Sequence, residues 1–98
     1  MATVRLKRGA KEDVAKADGS SISAIFAGIK KLRVSPQLRG SPLGGNLHGL
    51  RKLVLGTRNL RIVYYYLKET DTVWIVAIAA RKDFEVYQLA EMRLNDPD

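Results

Sequence analysis

A chain of 98 residues with 17 Lys and Arg against 10 Asp and Glu carries a formal charge of +7. That excess favours an anionic partner, through long-range attraction and counterion release. The absence of cysteine excludes disulfides and thiolate metal sites, and the longest apolar run, Val73 to Ala80, is too short to span a bilayer. The length suits one small domain with a modest core. With no apolar signal region at the N-terminus, the expected setting is the cytoplasm.

In chain order, Thr3 to Lys7 alternates Val4 and Leu6 with Thr3, Arg5 and Lys7, the pattern of a short strand with one buried face. Gly9 is expected to end it. Ala10 to Ala17 reads as a charged helix with Val14 as its only large apolar residue. Gly19-Ser20-Ser21 supplies a break and an N-cap for a second helix. In that helix Ile22, Ile25, Phe26, Ile29 and Leu32 form one stripe suited to packing on a sheet. Lys30, Lys31 and Arg33 cluster at its C-terminal end, where the helix dipole favours cations.

Ser35 to Gly49 contains Pro36, Pro42, Gly40, Gly44, Gly45 and Gly49 and reads as a loop with several turns. Strand patterns then follow at Leu50 to Leu55, Leu60 to Leu67 and Thr72 to Ala80, with turn-rich gaps that predict an antiparallel meander. Val73 to Ile78 is apolar at every position, as in a central strand buried on both faces, with Trp74 in the core. Asp83 can cap a last helix from Phe84 to about Leu94, in which Val86, Leu89, Ala90 and Arg93 share a side. The predicted class is α+β, a small single domain: strand, helix, helix, three-stranded antiparallel meander, helix, with the helices packed on one face of a twisted sheet.

Alternation decides which polar residues converge. Lys52 shares a face with Leu50 and Val54, while Leu53 and Leu55 point to the core; Arg61 shares a face with Val63 and Tyr65. Arg81 lies just past the third meander strand and Tyr87 one turn into the last helix. If the strands are neighbours, Lys52, Arg61 and Arg81 line one surface with Tyr87 at its rim; a solvated open sheet face is the other reading of the same pattern. This stretch holds no carboxylate pair and no histidine, an inventory that suits a polyanion better than a sugar, a peptide bond or a metal ion. His48, in the Gly-rich loop, reads as solvated. Tyr64-Tyr65-Tyr66 can stack bases, but alternation sends part of the run into the core. Trp74 apart, Gly44-Gly45 is the remaining feature, and it lacks the context of a phosphate loop.

The segments Pro42-Leu43, Leu50-Arg51-Lys52-Leu53, Leu60-Arg61-Ile62-Val63-Tyr64, Ala79-Ala80-Arg81, Glu85-Val86-Tyr87, Ala90 and Arg93-Leu94 resemble the RelE/ParE toxin superfamily. The likeness is strongest to the RelE-like mRNA endonuclease toxins of type II toxin–antitoxin systems, and it runs over residues 1–98 as one toxin domain. It implies a ribosome-dependent endoribonuclease that cleaves mRNA in the A site by attack of the 2′-hydroxyl on the adjacent phosphate. By the same resemblance Arg61 stabilises the phosphate, and Arg81 clamps it or serves the leaving group. Lys52 and Tyr87 share proton transfer and orientation. No cofactor or metal is implied. The implied partners are a cognate antitoxin, the ribosome and mRNA, with no membrane and with DNA met only through the antitoxin complex. Two positions depart from the family pattern: Val54 stands where a second lysine is usual, and Leu60 where an aromatic residue is usual. A ParE-like gyrase inhibitor and a non-catalytic RNA-binding relative are the alternatives.

Overall fold

Residues of high strand propensity in the C-terminal half build the scaffold on which everything else packs. The computed structural model describes residues 1–56, 59–80 and 85–94. Its strands are β1 (Thr3–Leu6), β2 (Ser41–Pro42), β3 (Arg51–Val54), β4 (Leu60–Leu67) and β5 (Thr72–Ala80); its helices are α1 (Arg8–Lys16), α2 (Gly19–Leu32) and α3 (Glu85–Met92). The strands form one five-stranded sheet in the order β1-β5-β4-β3-β2. β3, β4 and β5 are the expected meander, and β1 joins it parallel to β5, with Thr3 opposite Thr72 and Leu6 opposite Ile75. The α+β class and the predicted order of elements are therefore observed.

Several local expectations are corrected. Gly9 does not end the strand region as a turn; it lies inside α1 and is buried. The N-cap of α2 is Asp18, whose side chain accepts from the Ser21 N–H at 2.9 Å, ahead of the expected Gly19-Ser20-Ser21 segment. The loop 35–49 contains the two-residue strand β2 and two short 3-10 turns.

The helices are not on one face. α1 and α2 cover the side formed by Leu53, Leu55, Ile62, Tyr64, Val73, Ile75 and Ile78. α3 covers the other, where Val86 and Ala90 pack with Leu47, Leu50, Val63, Val76 and Ala77. The cause is in β4 and β5: apolar side chains project from both surfaces, so both need cover. A bulge sets their phase. Val63 pairs with Ala77 but Tyr64 pairs with Ile75, leaving Val76 as an extra residue on β5. Val76 and Ala77 then both join the α3 side. Trp74 is the exception within the apolar run, half-buried on the α3 side of the sheet rather than in the core.

On the first face, Ile25, Leu32, Ile62 and Ile75 are all but removed from solvent, each worth roughly 1.5–3 kcal/mol relative to exposure. α2 approaches closely because Gly28 has no side chain: a Cβ there would lie 2.6 Å from Leu55 Cδ2. The stripe is only partly used, since Phe26 remains 53% exposed.

β1 covers only the first half of β5, through Ile75. Beyond it a bidentate ion pair occupies the open edge. Arg93 Nη1 and Nη2 donate to Asp13 at 2.7 and 3.2 Å. Asp13 Oδ2 accepts the Ile78 N–H at 2.9 Å, and Arg93 Nη1 reaches the Val76 carbonyl at 3.4 Å. Gly9 lets the guanidinium lie against α1, since a Cβ at that position would come within 2.5 Å of Arg93 Nε. Removing one partner strands a mostly buried charge and the Ile78 N–H. Asp13→Ala is expected to lower unfolding free energy by about 3 kcal/mol in urea titration, and Arg93→Lys to restore little, because lysine cannot form the two-pronged contact.

Candidate functional site

Burial of Leu53, Leu55 and Ile62 against the α1–α2 side turns Lys52, Val54 and Arg61 to the α3 side by alternation. Lys52 is opposite Val63, and Arg61 sits between Val54 on β3 and Ala79 on β5. Tyr87 on α3 packs with the Val63–Val76–Val86 cluster on that side. Lys52 Nζ lies 5.8 Å from the centre of the Tyr87 ring, within cation–π range. Thus Lys52, Arg61 and Tyr87 come together on one face, while Arg81 lies outside the described residues, as do Asp83 and Phe84 at the expected start of the last helix.

Arg61 is folded back on the turn before β4. Its Nη1 donates to the carbonyls of Asn59 at 3.0 Å and Leu60 at 3.3 Å. Asn59 presents its carbonyl from a left-handed conformation (φ 54°). Arg61 Nε is buried with no hydrogen-bond partner among the described residues, a cost of roughly 1–3 kcal/mol. Among those residues neither Lys52 nor Arg61 has an ion-pair partner. Val54, across from Arg61, is 54% exposed. Two cations beside a tyrosine ring can hold a phosphodiester and stabilise charge developing on it. No group of three His, Cys, Asp or Glu side chains suited to a metal exists among the described residues. A cleft of about 410 Å³ along the open edge of β5, beside Asp13 and Arg93, includes none of these three residues.

The remaining aromatic and histidine candidates separate. Tyr64 is fully buried, its hydroxyl 2.9 Å from the carbonyls of both Pro36 and Arg39. Tyr66 donates to Asp71 Oδ1 at 2.6 Å across the β4–β5 turn. Tyr65 faces the α3 side, and His48 is exposed. Sequence reasoning missed a second cationic group, Arg5 and Lys7 against Trp74 and Tyr65. Its signal was the outward register of Arg5 and Lys7 in the first strand, and it was obscured by reading Trp74 as core.

No protein-family model matches the sequence, and neither does any curated protein. Solved structures do. The RelBE2 toxin–antitoxin complex of Mycobacterium tuberculosis contains a chain 26% identical over 82% of this chain and 91% of its own, with a TM-score of 0.71. A mutant of the E. coli toxin RelE in the free state superposes with a TM-score of 0.79 at 21% identity, covering 96% of this chain and 99% of its own. The isolated E. coli RelE toxin gives a TM-score of 0.74 at 19% identity over the same shares, 96% and 99%. The chain has the RelE toxin fold.

Burial raises the Tyr64 hydroxyl above its ordinary value near 10, against a smaller opposing pull from Arg51 and Arg39. A raised folded-state value means that stability is complete below pH ~10 and falls as pH rises through the folded pKa. Urea titrations at pH about 8 and about 11 should show Tyr64→Phe losing less stability than wild type over this interval. At the lower pH the variant should be about 1 kcal/mol less stable, for the lost hydrogen bond.

Proposed function

We propose that this protein is the toxin of a type II toxin–antitoxin pair and that it cuts mRNA in the ribosomal A site. The observation that carries the reading is the convergence of Lys52, Arg61 and Tyr87 on the α3 side of the sheet, with the buried Arg61 Nε lacking a partner among the described residues. The RelE fold supports it, and the RelBE neighbours, which are complexes with an antitoxin, support a cognate antitoxin here.

In this reading the 2′-oxygen of the message attacks the adjacent phosphorus. A 2′-O–P bond forms, the P–O5′ bond breaks, and a cyclic phosphate and a 5′-hydroxyl result. Arg61 swings from the turn carbonyls to the phosphoryl oxygens, so its unsatisfied donor gains an acceptor as negative charge develops. Lys52 and Tyr87 orient the nucleotide and handle the proton leaving the 2′-oxygen. Arg81 serves the phosphate or the departing 5′-oxygen, which must gain a proton. Holding attacking and leaving oxygens in line accounts for much of the acceleration.

An exposed apolar Val54 opposite Arg61 is the observation on the side of a ParE-like gyrase inhibitor, which needs no hydrolytic cations. Purified protein added to ribosomes stalled on a defined mRNA, with ends mapped by primer extension, separates the readings. We expect cuts within the A-site codon, weakened roughly a hundredfold or more in Lys52→Ala, Arg61→Ala, Arg81→Ala and Tyr87→Phe. Wild-type cleavage by all four variants removes the site assignment, and an intact message together with a loss of DNA supercoiling moves the function to gyrase. Val54→Lys, which adds a cation across from Arg61, should raise single-turnover cleavage by roughly tenfold in the same assay.

A further inference from the structure

A second cationic surface lies on the same side of the sheet, separate from Lys52, Arg61 and Tyr87. Arg5, Trp74 and Tyr65 form one cross-strand row: Arg5 is opposite Trp74 on β5, and Trp74 opposite Tyr65 on β4. Lys7 follows β1, its N–H donating to the Ile75 carbonyl at 2.9 Å. Arg5 Cζ lies 5.2 Å and Lys7 Nζ 5.1 Å from the Trp74 ring centre, and Lys7 Nζ lies 5.8 Å from that of Tyr65. Arg5 is exposed, and Trp74, Tyr65 and Lys7 are half-buried. β1, β4 and β5 contribute no Asp or Glu to the sheet.

Burying a tryptophan fully would gain more than leaving it at a surface. Here it is kept accessible, and cations rather than apolar side chains sit against it. That combination fits one kind of ligand best. Unpaired nucleotides offer a flat base to stack on an indole or guanidinium plane and a phosphate to meet the cations. We infer that the Arg5–Lys7–Tyr65–Trp74 surface is a docking site for single-stranded RNA, used to hold RNA on the same face of the sheet but apart from Lys52, Arg61 and Tyr87. Charge complementarity selects a polyanion, and the aromatic row selects one with exposed bases over an acidic protein. Docking here does not require the cleavage chemistry.

Trp74 is the only tryptophan in the chain, so its fluorescence reports on this surface directly. The full-length protein is titrated with an oligoadenylate of about ten nucleotides, within the usual single-strand site size, while anisotropy of a label on the RNA follows total binding. Polyglutamate of matched charge serves as the competitor class. Saturable quenching by the oligoadenylate and not by polyglutamate is expected. Arg5→Ala and Trp74→Ala should bind the RNA about five- to a hundredfold more weakly, the loss of one stacked base. Lys52→Ala/Arg61→Ala should keep the quenching whether or not the wild type cleaves message on ribosomes, which separates this surface from the endonuclease reading. If Trp74→Ala does not fold, Arg5→Ala and the wild-type quenching decide. Absent RNA binding, RNA binding without a change in Trp74 emission, equal quenching by polyglutamate, unchanged affinity in Arg5→Ala, or loss of quenching in Lys52→Ala/Arg61→Ala would each overturn it.

Discussion

The arrangement depends on how the unpaired half of β5 is closed. β1 is short, so the strand that anchors both layers of the core would otherwise expose its backbone beside α1 and α3. Asp13 and Arg93 replace a missing neighbour with side chains, one accepting the Ile78 N–H and the other reaching the Val76 carbonyl. An edge filled this way offers less of a template for another strand. The same pair ties a helix on one face of the sheet to a helix on the other. Tyr87 lies on α3, between β5 and Arg93 in the chain, so the pair that seals the edge also fixes the helix that brings Tyr87 over Lys52. A second tie, from Asn46 Nδ2 to Glu91 Oε1 at 3.0 Å, holds α3 to the turn before β3, but it is exposed and contributes less.

The cations of the molecule differ in the partners they have. Cations on the strands are not neutralised by neighbouring acids: Lys52 and Arg61 have no ion-pair partner among the described residues, while Arg93, away from that face, has a bidentate one. Arg51 is likewise committed, donating to the carbonyls of Arg39 and Gly40 and closing the loop over Tyr64. A folded chain of this net charge bears some self-repulsion, offset by a core covered on both sides of the sheet.

Much of this was legible from residue order. Apolar runs bounded by turn residues located β4 and β5 with their observed limits, the spacing of Ile22 to Leu32 located α2, and period-two alternation located β1, because those patterns express burial along a single element. The same alternation put Lys52 and Arg61 on one side and Leu53 and Leu55 on the other. Other features escaped it. Gly9 and Asp18 were misjudged because a turn glycine and a buried helical glycine look alike in sequence, and Asp18 competes with two adjacent serines for one cap. Trp74 was read as core because an unbroken apolar run hides a bulge, and the bulge at Val76 changes which face each residue meets.

Composition and periodicity were sufficient for the class, the meander and the shared face of Lys52 and Arg61, since each follows from local backbone geometry and the period of burial. The cover on both faces, the Asp13–Arg93 seal, the placing of Tyr87 beside Lys52 and the cations against Trp74 were settled by the folded chain alone. Each joins residues far apart in the chain or on different strands, and which of many possible partners meet depends on sheet order and register, quantities that no local pattern encodes.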